Sequence, residues 1–238
     1  MTTVFAGWDV AGWTCPRAPQ TGRDPKSQDA LVLLSVESGR LAYVASRVGN
    51  FRSDILNSSD LVRPLAATSG MTTFDAVLAI DAPLGWPQEF QNLLSWSWSP
   101  GTPHYPSLLY RATDQQHGGQ SAVVRSVGTA STKALAYLQR QKFSRNTCSV
   151  GVFTVHGDTA IETYPKAVEK HARATPAGAL AAEYARLHAS LIHKTDDEES
   201  ALWCALIAAA WSNALPGTVT LRPPPANTPS SEGWIWAP

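Results

Sequence analysis

Apolar, strand-like runs that end in a carboxylate constrain this chain more than any other feature of its sequence. Asp9 ends the run VFAGWD, Asp81 ends AVLAID, and Glu162 ends the shorter run TAIE. A fourth acid, Asp197, opens a long alanine-rich segment with a helical pattern. A carboxylate at the end of a buried strand is unfavourable unless another group pairs with it, and several at one sheet edge would form a site for a hard divalent cation. The pattern therefore predicts a metal-dependent phosphoryl-transfer enzyme, and a nuclease above all.

Length and composition predict a single α/β domain. The chain has 238 residues, of which 44% are hydrophobic and 16% are charged, and this balance is typical of a globular protein rather than a disordered one. We expect one domain over residues 1–238, with an irregular, aromatic-rich insertion at about 84–146. The aromatic residues of this insertion form either ordinary core or a lid that stacks on bases. They include Trp86, Trp96, Trp98, Tyr105 and Tyr110.

The charge distribution gives no global sign of a nucleic-acid partner. Lys plus Arg and Asp plus Glu number 19 each, so the formal net charge is zero. A local basic patch stays open as a hypothesis, and its densest candidates are Arg125, Lys133, Arg140, Lys142 and Arg145. The cysteines form no CxxC pair, the first residues show no signal-peptide pattern, and no apolar run reaches membrane-spanning length. We therefore expect a cytoplasmic protein without a membrane partner.

Apolar periodicity and turn residues predict strands that alternate with helices. The expected strands cover residues 3–9, 30–36, 41–45, 75–81, 149–155 and 159–162. The expected helices cover residues 52–65, 88–96, part of 120–142, 166–172, 176–192 and 196–214. The second and third strands should form a hairpin, because only a short turn separates them. The run at 75–81 is apolar almost throughout, as expected for a strand that is covered on both faces.

The C-terminal part of the chain carries two further signals. The last predicted helix begins with a capping-box pattern, in which Thr195 caps the helix and Glu198 reaches back. The interior of this helix is apolar on every face, so we expect it to be buried. The final residues, EGWIWAP, are too apolar for a free end, and we expect Trp234 to be buried with the tail packed against the domain.

Six short motifs, in order along the chain, resemble those of the DUF429 family, which groups predicted nucleases of RNase H-like fold. They are GWDVAG at residues 7–12, AIDAPLG at 79–85, RATD at 111–114, IETYP at 161–165, DEESAL at 197–202 and EGWI at 232–235. The fifth motif departs from the pattern, because Ser200 stands where the resemblance leads us to expect a second acid one helical turn after Asp197.

The resemblance implies a fold and a mechanism. The fold would be RNase H-like, with a central mixed sheet whose first three strands are antiparallel and with helices on both faces. Asp9 and Asp81 would lie on adjacent central strands, and Asp197 would join them from the final helix. These three would bind one or two Mg²⁺ or Mn²⁺ ions, and Glu162 would be a fourth ligand or orient the attacking water. Arg111 would neutralise charge on the phosphate of a substrate, with nucleic acid as the candidate partner.

Other interpretations of the same residues remain open. Asp81 could accept hydrogen bonds in a turn, and acids in the first turn of a helix suit the helix dipole whatever the function. An ATP-dependent phosphotransferase of the actin and sugar-kinase group shares the core fold, although its Asp-x-Gly-x-Thr loop is one residue shorter than residues 9–14. A binding protein that kept the fold and lost catalysis would fit the zero net charge and Ser200.

Overall fold

The architecture is mixed α/β, with a seven-stranded sheet flanked by helices. This computed structural model describes residues 2–15, 27–97, 108–121, 123, 127–176, 178–215, 217 and 219–238. The strands are β1 (Thr2–Asp9), β2 (Asp29–Glu37), β3 (Arg40–Gly49), β4 (Phe74–Asp81), β5 (Ser144–Arg145), β6 (Val152–Val155) and β7 (Asp158–Glu162). The helices are α1 (Arg52–Leu56), α2 (Val62–Ala67), α3 (Gln88–Leu94), α4 (Ala112–His117), α5 (Val127–Arg140), α6 (Pro165–Ala174), α7 (Ala179–His188) and α8 (Asp196–Trp211). Part of the expected insertion at 84–146 lies outside the described residues, as do Trp98, Tyr105 and Arg125.

The strand order across the sheet is β3-β2-β1-β4-β7-β6-β5. The first three strands are antiparallel to one another, as predicted. At the centre, β4 lies between β1 and β7 and is parallel to both. The strands β7, β6 and β5 then form a second antiparallel edge. Three neighbouring parallel strands therefore end at the same edge of the sheet, and Asp9, Asp81 and Glu162 are their last residues.

Several details differ from the sequence prediction. The sheet order was not fully predicted, because the two-residue edge strand β5 carries no recognisable pattern. The expected helix at 52–65 is two short helices, and Ser58 between them has a positive φ of 57° that a helix does not allow. Thr195 does cap α8 by accepting a hydrogen bond from the Glu198 N–H. The Glu198 carboxylate, however, accepts from the N–H groups of His193 and Lys194 rather than reaching back to Thr195.

Two hydrophobic cores lie on opposite faces of the sheet. On β1, the side chains of Val4, Ala6 and Trp8 join one core together with residues of α1, α2 and α5, whereas Phe5 joins the other core with residues of α6, α7 and α8. Successive strand residues point to opposite faces, so Asp9 lies on the same side of the sheet as Phe5 and α8. Within the described part of the chain, no helix is both long and apolar enough to cross a membrane.

Helix α8 crosses β1 at close range because residue 7 is glycine. A Cβ atom on Gly7 would lie 2.0 Å from the carbonyl oxygen of Ala201 and 2.2 Å from the amide nitrogen of Ala205. Any larger residue would push the helix away from the strand. The interior of α8 is buried, as predicted from its apolar composition. This contact fixes the start of α8, including Asp197, with respect to the end of β1.

The C-terminal tail packs back on the sheet, as predicted. Trp234 is fully buried, and its indole N–H donates to the carbonyl of Arg222 at 2.9 Å. Ile235 forms a parallel bridge with Glu162 at the end of β7. A Cβ atom on Gly85 would lie 2.2 Å from backbone atoms of Glu232, so the tail passes directly over the turn that follows β4. The tail is therefore part of the wall beside the carboxyl ends of the central strands.

Candidate functional site

Asp9 and Asp81 lie side by side at the carboxyl ends of β1 and β4. The two strands pair in parallel from Thr2 opposite Phe74 through to Asp9 opposite Asp81. Neighbouring strands are about 4.8 Å apart, and residues in register share a face, so the two carboxylates emerge next to each other. The prediction that these acids lie on adjacent central strands is confirmed.

Asp197 approaches the pair from α8. Ala201, which contacts Gly7, lies one helical turn after Asp197 on the same helix face, and Asp9 lies two residues after Gly7 on the same strand face. The carboxylate of Asp197 accepts hydrogen bonds from Ser27 Oγ at 3.1 Å and from the backbone N–H of Gln28 at 2.9 Å. Asp197 thus lies beside Asp9 and is also tied to the segment that leads into β2.

The electrostatics of the three acids reflect their proximity. Burial raises the pKa of Asp9 well above its ordinary value, and the charges of Asp81, Asp197 and Asp29 raise it further. Burial, together with the charge of Glu162, raises the pKa of Asp81 to about 7. Burial also raises the pKa of Asp197, although its hydrogen bonds from Gln28 and Ser27 act in the opposite direction. The carboxylate pair is thus unfavourable in its fully charged form.

The buried thiol of Cys204, in α8, lies near the two strand-end carboxylates. Cys204 is fully buried in α8, and burial raises the pKa of its thiol well above the ordinary value. The charges of Asp81 and Asp9 add to this rise in pKa. The alternation of side chains along β1 and the register of β4 also place both carboxylates on the α8 side of the sheet.

The decisive feature of the pair is the lack of hydrogen-bond donors to it among the described residues. No residue in the described part of the chain donates a hydrogen bond to the carboxylate of Asp9 or of Asp81. Both residues keep part of their surface accessible. Buried or half-buried carboxylates are normally satisfied by hydrogen bonds or opposite charges. The oxygen lone pairs of Asp9 and Asp81 therefore accept nothing from the described residues.

Glu162 and Arg111 form a very different arrangement close by. Arg111 is fully buried and donates through all of its guanidinium N–H groups. Nε and Nη2 donate to Asp114 at 3.0 and 2.6 Å, Nη1 and Nη2 donate to Glu162 at 2.7 and 2.6 Å, and Nη1 also reaches the carbonyl of Glu232 at 3.0 Å. Although burial lowers the pKa of Arg111, the charges of Glu162 and Asp114 raise it above its ordinary value. We call this group, Arg111 with Asp114, Glu162 and Glu232, the arginine knot.

The arginine knot leaves Glu162 and Arg111 little capacity for a ligand. One Glu162 oxygen also accepts the backbone N–H of Leu84 at 2.9 Å, so both of its oxygens are occupied. Arg111 has five N–H donors on its side chain, and the bonds to Asp114, Glu162 and Glu232 use them all. The structure therefore brings both residues to the site, but in a geometry that favours supporting the strand ends over contact with metal or phosphate.

A buried ion pair that the sequence did not reveal holds the loop after β1. Lys133 of α5 is fully buried and forms a salt bridge with the buried carboxylate of Asp29. Its ammonium also lies 3.4 Å from the carbonyls of Ala11 and Gly12, and Asp29 accepts the N–H of Ala11 at 3.0 Å. Lys133 is thus an interior residue and does not belong to a surface basic patch. The only sequence signal was an acid directly before an apolar run.

A cavity of about 250 Å³ opens beside Asp81. Its wall combines apolar, polar and charged residues. They include Val10, Gly12, Asp81, Tyr164, Lys166 and Ile235. The loop that Lys133 holds forms one side, the end of β4 forms the floor, and the start of α6 and the C-terminal tail form the other side. The cavity is large enough for a phosphate group with part of the organic group that carries it.

The residues at this edge can supply oxygen ligands for a hard cation, although they do not form a complete cage. No group of three His, Cys, Asp or Glu within the described ranges is arranged closely enough to hold a metal ion. Mg²⁺, however, commonly binds through one or two carboxylates together with water and substrate phosphate. Asp9 and Asp81 fit that requirement because their oxygens accept no hydrogen bond from described residues. The two oxygens of Asp197 already accept hydrogen bonds from Ser27 and Gln28.

Comparison with known proteins gives no relative for this chain. No protein-family model, no curated protein and no solved structure matches it. The resemblance to the DUF429 family therefore stays a prediction from its motifs.

Proposed function

We propose that this protein is a Mg²⁺- or Mn²⁺-dependent hydrolase of phosphodiester bonds, and so a nuclease, on an RNase H-like fold. The observation that carries the proposal is the pair Asp9 and Asp81. The two carboxylates are in register on adjacent parallel strands, face the same helix and accept no hydrogen bond from described residues. A structural acid would be expected to have such partners.

The energetics of the pair support a cation ligand. Burial and mutual repulsion disfavour the charged carboxylates, as the raised pKa values of Asp9 and Asp81 indicate. A divalent cation between them would remove this repulsion, and its binding energy would offset their desolvation. When bound, such an ion lowers the pKa of a coordinated water and stabilises charge on a phosphate. The acids of this chain would hold the ion and set its distance from the cavity.

The remaining predicted site residues take supporting roles in this proposal. Asp197 orients the start of α8 and adds negative charge next to Asp9. Glu162 and Arg111 hold the turn after β4 through the Leu84 N–H, and they hold the tail through the Glu232 carbonyl. These contacts fix the direction in which Asp81 leaves the sheet. The proposal therefore assigns metal binding to Asp9 and Asp81, and positioning to Asp197, Glu162 and Arg111.

Hydrolysis assays on matched variants test this function. The purified protein is incubated with Mn²⁺ or Mg²⁺ and with single- and double-stranded DNA, RNA and the simple diester bis(4-nitrophenyl) phosphate. We expect metal-dependent cleavage by the wild type and none by Asp81→Asn. Asp54→Asn is the control, because Asp54 forms an exposed ion pair with Arg47 away from the cavity. Equal activity in Asp81→Asn and Asp54→Asn would overturn the proposal.

The same preparation separates the two other functions. Transfer of phosphate from ATP, with ADP as product and no diester cleavage, would identify a phosphotransferase of the actin and sugar-kinase type. Absence of both activities, with no Mn²⁺ bound at millimolar concentration, would identify a binding protein that uses the same fold without catalysis.

A further inference from the structure

Lys166 is a cation at the mouth of the cavity that the sequence analysis did not single out. It is the second residue of α6 and follows Glu162, the last residue of β7, by one short turn. Its side chain is exposed and lines the same cavity as Asp81 and Tyr164. The fold therefore places a lysine at the same sheet edge as the carboxylate pair, but on the solvent side of it.

The charge of Lys166 reaches both carboxylates. It lowers the pKa of Asp9 and of Asp81, against the larger effect of burial that raises both. No described residue forms a salt bridge with Lys166 or accepts a hydrogen bond from it. Its ammonium group thus lies within electrostatic reach of the pair without being bound to it.

Among the residues that the structure describes, Arg111 and Lys133 also lie near the site, and both already have partners. Arg111 uses its guanidinium donors inside the arginine knot, and it has no exposed surface. Lys133 is paired with Asp29 and bound to the carbonyls of Ala11 and Gly12. Of these three described cations, Lys166 is therefore the one with donors available to a substrate phosphate that enters the cavity.

We infer that Lys166 binds an anionic oxygen of a substrate phosphate in the cavity that it shares with Asp81, and this assignment rests on the proposed function. A lysine ammonium is a compact charge with three donors on a flexible stem, which suits a phosphate whose charge grows during hydrolysis. Lys166 takes the role that the motif resemblance gave to Arg111. It is a catalytic residue in this assignment, since it touches the reacting group.

The test compares Lys166→Met with a matched lysine on the same helix. Lys170 lies one turn later on the same face of α6, is also exposed and does not line the cavity, so Lys170→Met is the control. The readouts are kcat and KM for bis(4-nitrophenyl) phosphate with Mn²⁺, and Mn²⁺ affinity by calorimetry. We expect Lys166→Met to lower kcat/KM by about 10- to 100-fold, because one charge-assisted hydrogen bond is lost.

Metal affinity distinguishes contact with substrate from a structural role. Removal of a cation near Asp9 and Asp81 should leave Mn²⁺ binding unchanged or make it tighter, while Lys166→Arg should keep most of the activity. An equal fall in Mn²⁺ affinity and kcat/KM would overturn the assignment, because Lys166 would then only position the ligands. Activity of Lys166→Met equal to that of Lys170→Met, in a protein whose wild type cleaves the diester, would also overturn it and leave the proposed function intact. A wild type that neither binds Mn²⁺ nor cleaves any diester would overturn both.

Discussion

Two acidic groups lie at the same edge of the sheet, and they differ in how their oxygens are satisfied. In the arginine knot, every carboxylate oxygen of Asp114 and Glu162 accepts at least one hydrogen bond. At the ends of β1 and β4, the carboxylates of Asp9 and Asp81 accept none from described residues. The sequence pattern is the same in both places, an acid that ends an apolar strand. The hydrogen-bond partners differ between the two groups. An acid with such partners has a structural role, whereas an acid without them is available to a ligand.

The comparison of the two acidic groups also shows which contacts the motifs of the DUF429 resemblance make. Four of them meet in the arginine knot. The turn AIDAPLG contributes the Leu84 N–H, RATD contributes Arg111 and Asp114, IETYP contributes Glu162, and EGWI contributes the Glu232 carbonyl. These segments are far apart in the chain, and buried polar contacts join them in space. Much of the motif pattern therefore serves to join the tail to the sheet, and only part of it supplies free carboxylates.

The largest effect is expected from Arg111→Met. The change leaves the buried carboxylates of Asp114 and Glu162 without a partner, which should lower the free energy of unfolding by about 3–5 kcal/mol. Urea denaturation measures this loss. Arg173→Met is the control, because Arg173 forms an exposed pair with Glu169 and should change stability by less than about 1 kcal/mol. A loss as small as that of the control would show that the arginine knot does not stabilise the fold.

A smaller loss is expected from Gly7→Ala. The added Cβ would meet the backbone of Ala201 and Ala205, so α8 must move away from β1, at a cost of about 1–3 kcal/mol. Because Asp197 begins this helix, the same change should weaken Mn²⁺ binding. Gly119→Ala is the control, since its Cβ would lie no closer than 3.4 Å to any neighbour. If Gly7→Ala melts like the wild type, α8 is not held as closely as the structure shows.

Asp81→Asn should change the pH dependence of stability and not the fold itself. The pKa of Asp81 is about 7 in the folded protein, above its unfolded value of about 4. The folded state therefore binds the proton more tightly, and this group lowers stability progressively as pH rises from about 4 to about 7. Asp81→Asn removes that loss, so without metal it should be as stable as the wild type at pH 4 and more stable than the wild type at pH 8. Thermal melts across this range, with Asp54→Asn alongside, measure the difference. A large loss of stability in Asp81→Asn at every pH would favour a hydrogen-bonding role in the turn.

The smallest effect is expected from Ser200→Asp. Ser200 is partly buried one turn after Asp197, where the resemblance leads us to expect an acid. A carboxylate there would add an oxygen ligand on the helix face of Asp197, and we expect tighter Mn²⁺ binding and faster hydrolysis. Ser200→Asn is the uncharged control of nearly the same shape. A lower melting temperature in Ser200→Asp, without a gain in Mn²⁺ affinity over Ser200→Asn, would count against a metal site.

The sequence predicted those elements of the structure that depend on the residues within a single strand, helix or tail. The runs that end in Asp9 and Asp81 are apolar and short, so they could be recognised as buried strands. Their adjacency was expected only from the motif resemblance, and their register comes from the structure. The buried α8 followed from an interior that is apolar on every face, and the buried Trp234 followed from the composition of the tail. These features need only the sequence within one element or its immediate flanks.

Pairs between distant residues could not be predicted in this way. Arg111 and Glu162 are 51 residues apart, and Lys133 and Asp29 are 104 apart, so no periodicity links the partners. Whether a strand-end acid is satisfied or open depends on such pairs. The sequence therefore identified Asp9, Asp81 and Glu162 as equivalent, and only the long-range contacts distinguish Glu162 from the other two. The two-residue strand β5 was missed for a related reason, because its pairing with β6 is set by the surrounding fold.

Calorimetric titration of Mn²⁺ into the wild type, Asp9→Asn, Asp81→Asn and Glu162→Gln tests the difference between the two acidic groups most directly. Circular dichroism first establishes that each variant is folded, and Asp54→Asn serves as the control for a lost surface charge. We predict that the wild type, Asp54→Asn and any folded Glu162→Gln bind Mn²⁺ with similar affinity, whereas Asp9→Asn and Asp81→Asn lose binding. Wild-type affinity in both Asp9→Asn and Asp81→Asn, or no binding of Mn²⁺ by the wild type, would contradict the claim that the open carboxylates form the metal site.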